Sequence, residues 1–247
     1  MARYVIRIAR QASLIAAFVG AAFFGIVSGV LFAFAGDLPR ITALDDYAPS
    51  VITRVHAVDG SLVAEFATQR RVVIAYEEIA PRLREAIIAS EDGSFNSHFG
   101  VSIPRLVVTA VRDILNQELR GASTITMQLA RNLFLTLDKT WTRKVQELLL
   151  SFQIEKRYTK REILTLYCNQ ILFGHGAFGV EAAARMYFDK SAGDLALEEA
   201  ALLAGIIQTP ARQSPFVNPD LARSRRSYVL GRMEADGYIT AEEADAT

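Results

Sequence analysis

Two blocks decide the reading of this chain: Ala89-Ser90-Glu91-Asp92-Gly93-Ser94-Phe95-Asn96-Ser97-His98-Phe99-Gly100, then Gly121-Ala122-Ser123-Thr124-Ile125-Thr126-Met127-Gln128-Leu129-Ala130-Arg131-Asn132. The first block puts a carboxylate at the end of an apolar helix, where the chain turns into a glycine-bearing loop. Pro81 suits a first helical turn, since its missing N–H is an orphan there anyway. From it, Leu83, Ile87 and Glu91 fall at i, i+4 and i+8, on one face. An acid on an apolar face is partly desolvated, and desolvation raises a carboxyl pKa. A raised value suits a general acid or base working near neutrality. The same spacing also fits an acid that caps or salt-bridges a neighbouring loop, because structural ion pairs perturb titration too. The second block crowds hydroxyls, an amide and a cation into one short run. Neither block reads as core filler.

Working outward, the 247 residues can hold one or two domains with a sizeable core. Lys+Arg and Asp+Glu both number 27, so the net charge is zero, which argues against a nucleic-acid binder. The single cysteine, Cys168, rules out an intrachain disulfide and reads as a small buried hydrophobe. Gln11 to Gly36 carries no charge over about 26 residues, enough to cross a bilayer, which needs roughly 20. Arg3, Arg7 and Arg10 precede it and Asp37 follows, which places the N-terminus in the cytoplasm. The run exceeds the apolar region of a cleaved signal peptide, so an uncleaved anchor over residues 1–36 is expected.

Residues 37–76 read as a linker and a small β-hairpin connector. Alternation in Val51–Val58 and Ser61–Phe66 flanks Asp59-Gly60, a short-range hairpin signal, and Arg71–Tyr76 reads as a third short strand. From residue 77 the pattern is helical. Ile103–Leu115 shows a broad apolar surface that fits either core packing or a face on the bilayer, with Arg105 and Arg112 at headgroup level. Trp141, Val145, Leu148, Leu149 and Phe152 mark one face of the next helix, and Arg143, Glu147, Leu150 and Ile154 the other. A helix apolar on both sides is expected to be buried, at the centre of the domain. Arg143 and Glu147 form an i,i+4 pair, and Lys144 and Arg131 extend it to a cationic patch able to hold an anion. Thr159 and Glu162 form a capping box. Gly174, Gly176 and Gly179 signal an irregular loop. Residues 221–235, with Arg223, Arg225, Arg226 and Arg232, read as a solvated amphipathic helix.

In this order the blocks resemble the peptidoglycan glycosyltransferase family, found in class A penicillin-binding proteins and monofunctional transglycosylases. The matching motifs are Glu91–Gly100 with Phe95 and His98, then Gly121–Gln128 running on to Asn132. Arg143, Lys144 and Glu147 follow. Lys160, Glu162, Ile163, Leu164, Tyr167 and Asn169 lead into Gly174–Gly179, and Glu199–Gly205 closes the series. Met127, Arg131 and Cys168 depart from the usual residues; Arg131 keeps the charge but binds phosphate in a planar fork. No Ser-x-x-Lys penicillin-binding motif occurs, so the transpeptidase domain of such proteins is expected in a full-length chain only.

The resemblance implies a mainly α, lysozyme-like glycosyltransferase domain over residues 77–247, behind the transmembrane helix and the β-hairpin connector. It implies polymerisation of lipid II into β-1,4 glycan strands, with inversion at the anomeric carbon and release of undecaprenyl pyrophosphate. Glu91 is then the catalytic base and Glu147 the second catalytic carboxylate. Asp92, Phe95, His98, Ser123, Thr124, Thr126, Gln128, Arg131, Asn132, Arg143 and Lys144 become the substrate-binding set. Pyrophosphate leaves readily, so it calls for positive charge more than for a second acid. Glu147 would orient those cations or hold a divalent ion. No cofactor is required by this chemistry; a divalent cation, Mg or Mn, on the pyrophosphate stays open. The implied partners are lipid II, the growing strand, the bilayer and the cell-wall synthesis machinery. The implied place is the inner membrane, single-pass type II, with the catalytic domain in the periplasm. Two rivals remain: a lytic transglycosylase or muramidase of similar fold, and a non-catalytic envelope scaffold.

Overall fold

The structure is a computed structural model that describes residues 2–36, 38–39, 41, 53–59, 61–66, 70–106, 108–109, 123–135, 138 and 140–247. It is mainly helical. The helices are α1 (Ala2–Ala35), α2 (Pro81–Glu91), α3 (Ile125–Phe134), α4 (Trp141–Arg157), α5 (Lys160–Gln170), α6 (Val180–Phe188), α7 (Leu197–Ile206), α8 (Pro210–Gln213), α9 (Pro219–Ala235) and α10 (Ala241–Asp245). Expectations that fall on Gly60, Gly121, Ala122, Arg112 and most of residues 37–52 lie outside the described residues.

Two helical groups make the core. In one, α2 packs against α7 and α9, and α9 against α7. Small residues on α7 allow close approach: Ala200, Ala201 and Ala204 are fully buried, and a Cβ on Gly205 would sit 3.2 Å from the Arg225 backbone. In the other group, α3 packs against α4 and α5. Leu83, Ile87, Leu129, Leu150, Ile154, Ile163, Tyr167 and Leu203 are all fully buried. Pro81 does open α2, and Leu83 and Ile87 face inward as their spacing requires. The Thr159–Glu162 capping box opens α5, with Glu162 accepting from the Thr159 N–H at 2.7 Å.

Four short strands complete the fold. β1 (Thr53–His56) pairs antiparallel with β2 (Leu62–Phe66), around a turn in which Asp59 Oδ1 accepts from the Ser61 N–H. β3 is shorter than the strand expected over Arg71–Tyr76 and does not extend that pair. Only Arg70–Arg71 is extended, and it pairs parallel with β4 (Ala177–Phe178). The reason lies one turn away. Asn169 Oδ1 accepts from the Ile74 N–H at 3.1 Å, and its Nδ2 donates to the Ile74 carbonyl at 2.9 Å. A side-chain amide thus takes the two backbone groups that a neighbouring strand would have used.

α4 corrects the expectation of a helix buried on both sides. Its charged face is the inner one: Arg143, Glu147, Leu150, Ser151, Ile154 and Glu155 are buried. The apolar stripe faces out, with Trp141 87% exposed and Phe152 stacked on the exposed Phe99 at a 6.4 Å centroid distance. Paired charges can be buried where they satisfy each other, so polarity alone does not choose the inward face. α1 also lies against α4. Among the described residues no helix is long and apolar enough to cross a membrane. α1 runs through the expected anchor, but the side chains at 12, 23, 27, 30–32 and 35 lie outside the description.

Candidate active site

The site is built around the N-terminal half of α3. Glu91 closes α2 on the core side, half-buried. Its Oε2 accepts from Gln128 Nε2 at 2.8 Å. Gln128 lies one turn inside α3, and its Oε1 accepts from the buried Tyr167 hydroxyl of α5 at 3.1 Å. Burial pushes the Glu91 carboxyl above its usual range; the Gln128 hydrogen bond and the cations Arg225, Arg105 and Arg131 oppose that rise. The acid is therefore desolvated, as the apolar spacing of α2 implied, and it is ringed by positive charge.

Asp92 follows it and is fully buried. Its Oδ2 accepts from His98 Nε2 at 2.9 Å and from the Ile125 N–H, the first of α3, at 3.1 Å. Asp92 thus caps α3 and fixes the helix that carries Gln128. A carboxylate at a helix N-terminus is also favoured by the helix dipole. Thr124 accepts from the Met127 N–H and donates to the Gly100 carbonyl at 2.6 Å. Gly100 has φ +83°, and a Cβ there would sit 3.1 Å from the Ser151 backbone, so that closure needs glycine.

The second carboxylate, Glu147, sits in the second turn of α4, which packs against α3. Glu147 has 0% exposure and both oxygens face cations: Arg143 Nε at 3.1 Å and Lys144 Nζ at 2.7 Å. Lys144 Nζ also donates to Ser123 Oγ at 2.7 Å. Ser123 lies two residues before α3, and from Ile125 to Gln128 the helix axis rises only about 4.5 Å. The α3 end therefore touches Glu91 directly through Gln128 and Glu147 indirectly through the Ser123–Lys144 contact.

The expected substrate-binding set divides. Ser123, Gln128, Arg131, Asn132, Arg143, Lys144 and His98 are gathered on or beside α3, with Asn132 exposed one turn beyond Gln128. Asp92, Phe95, Thr124 and Thr126, expected in the same set, are buried and engaged within the fold. Thr126 Oγ1 donates to Glu155 at 2.6 Å, which also accepts from Lys160 at 2.6 Å, and Lys160 lies over the Phe95 ring at 4.4 Å. Two cations were missed. Arg105, expected at a headgroup or in the core, donates to the Glu91 carbonyl at 2.7 Å. Arg225, expected on a solvated helix, reaches Glu91 electrostatically because α9 packs against α2. The i, i+7, i+11 spacing of Ala222, Val229 and Met233 inside the arginine run was the available signal.

A resident divalent ion does not fit these side chains. Among the described residues no three His, Cys, Asp or Glu groups converge, and both Glu147 oxygens already meet cations. Cys168 is buried, as a small hydrophobe would be, and burial pushes its thiol up to about 12.

Comparison with known proteins places the chain among relatives. Residues 59–234 match the family model described as Transglycosylase. The chain is 40% identical over 224 residues to penicillin-binding protein 1A of Rickettsia bellii, covering 89% of this chain and 28% of that protein. It is 38% identical over 229 residues to penicillin-binding protein 1A of Pseudomonas aeruginosa, covering 90% and 28%. For the Aquifex aeolicus penicillin-binding protein 1A the figures are 41% over 208 residues, 84% and 29%. The crystal structure of penicillin-binding protein 1A from Haemophilus influenzae aligns with a TM-score of 0.48 at 26% identity, covering 81% of this chain and 20% of that one. The chain thus spans under a third of the length of these relatives. With its helical site and the family match over residues 59–234, the chain belongs to the transglycosylase family.

Proposed function

We propose that this chain is a peptidoglycan glycosyltransferase domain that polymerises lipid II into β-1,4 glycan strands. The observation that carries the reading is that a desolvated acid at the end of α2 and a carboxylate-held cation pair on α4 both reach the N-terminal end of α3, through Gln128 and Ser123. A sugar 4-hydroxyl is a poor nucleophile until a base takes its proton. Glu91, ionised with help from Gln128 and three arginines, is that base. Attack on the anomeric carbon opposite the lipid diphosphate inverts the linkage from α to β. The bond to the diphosphate breaks and its electron pair leaves with the phosphate oxygen. Lys144 and Arg143, beside the α3 N-terminus, meet that charge where it develops. Glu147 aligns the two cations and takes no proton in the reaction. No step passes through a metal.

The chain organisation follows from the same reading. Residues 1–36 act as a cytoplasmic stub and single-pass anchor, because Gln11–Gly36 holds no charge. Residues 37–76 form the connector, and residues 77–247 the lysozyme-like catalytic domain in the periplasm. The outer stripe of Trp141, Phe99, Ile103, Val108 and Phe152 faces the bilayer that delivers the lipid substrate. A transpeptidase domain and the cell-wall machinery are the expected neighbours in a longer chain. The reading is tested by offering the purified protein lipid II and, separately, finished peptidoglycan. Glycan polymer from the first and no muropeptides from the second are expected. Released muropeptides would instead assign a lytic enzyme.

A further inference from the structure

We propose that Tyr167 is a positioning residue for the base: acting through Gln128, its hydroxyl holds Glu91 in the ionised, proton-accepting form. This rests on the glycosyltransferase reading and goes beyond it. The three groups form one hydrogen-bonded file. The Tyr167 O–H donates to Gln128 Oε1 at 3.1 Å, and Gln128 Nε2 donates to Glu91 Oε2 at 2.8 Å. A glutamine amide can turn over end for end, and the two orientations suit opposite partners. With Nε2 toward Glu91, the amide favours a carboxylate, which only accepts. With Oε1 toward Glu91, it would favour the protonated acid, which can donate. Tyr167 selects the first orientation by supplying a proton to the amide oxygen.

The surroundings make that choice firm. Tyr167 has 0% exposure and Gln128 8%, so solvent water is a poor substitute for either contact. Burial, reinforced by the nearby Glu91 charge, raises the Tyr167 phenol well above its usual range, so it stays a donor. Donors in a chain also polarise one another, which strengthens the terminal bond to the carboxylate. Every other group acting on Glu91 comes from elsewhere. Arg131 lies on α3, Arg105 beyond the Glu91 loop and Arg225 on α9, and Asp92 is already engaged by His98 and Ile125. Removing the Tyr167 hydroxyl leaves that set in place, so its effect is separable.

The test is the pH dependence of single-turnover lipid II polymerisation by the purified full-length protein. Tyr167→Phe is expected to move the acid limb up by about half a pH unit, since a weaker hydrogen bond to the carboxylate raises its pKa. The plateau rate and KM should change little. A ring-fluorinated tyrosine at this position, a stronger donor of the same shape, should move the limb the other way. In a Gln128→Ala background neither change should move it further. A limb that stays put in both position-167 variants would overturn the proposal, and so would a shift that persists without Gln128. A wild-type protein with no acid limb would sink the base assignment itself, whereas an intact wild-type limb indifferent to position 167 would sink only the relay.

Discussion

At the residue scale, Glu91 sets chemistry against stability. Burial raises its pKa in the fold above the value of the unfolded chain. The folded protein therefore holds this proton to higher pH than the unfolded chain does. The favourable contribution is complete below the unfolded value and is lost as pH rises through the folded one. At neutral pH the ionised group is a strain on the fold. Glu91→Gln is accordingly expected to melt at or above the wild-type temperature at neutral pH, with the advantage disappearing in acid. Calorimetry at the two pH values checks this, and a variant less stable at neutral pH than wild type would count against a desolvated acid. Lys144 gives a second outcome. In the proposed mechanism it stabilises the departing diphosphate, so Lys144→Ala should slow single turnover about 100-fold, the scale of one lost transition-state donor. A loss confined to KM would place Lys144 in ground-state binding instead.

At the scale of elements, much was legible and the exceptions have causes. Pro81, the Leu83–Ile87–Glu91 spacing and the Thr159–Glu162 box marked the starts and faces of α2 and α5 because these signals are local. The Arg143–Glu147–Lys144 cluster was legible for the same reason. What sequence could not show was reach between elements. Arg105 and Arg225 arrive at Glu91 only through the packing of α9 on α2 and the turn of the Glu91 loop. The outer face of α4 was misread: Trp141 and Phe152 were expected inside and are exposed, because the opposite face, with its charges paired, already fills the interior. The third strand was lost to Asn169, whose amide satisfies both polar groups of Ile74. That clip gives a test. Asn169→Ala strands a buried N–H and carbonyl and should destabilise the domain by about 2 kcal/mol. Hydrogen exchange should quicken at residues 71–75 first. Uniform exchange would mean that the clip holds nothing locally. At Gly179, φ +84° and the Asn169 carbonyl, 2.9 Å from where a Cβ would stand, explain why the loop returning to this clip is glycine-bearing.

At the scale of the molecule, the account joins a helical domain to a bilayer. The chain's one tryptophan, Trp141, is 87% exposed on the outer stripe of α4. Indole emission from the purified protein should shift to the blue when it passes from detergent-free buffer with a solubilising polymer into anionic vesicles. Unchanged emission would take that face off the membrane. The central claim is narrower: one acid, half out of water, deprotonates the acceptor sugar while separate cations receive the lipid diphosphate. Release of lipid diphosphate from lipid II in a single turnover, wild type against Glu91→Gln, tests it most directly. A fall of about 1,000-fold, within the range for loss of a general base, is predicted for a variant that melts no lower than wild type. Release within a few-fold of wild type would contradict it.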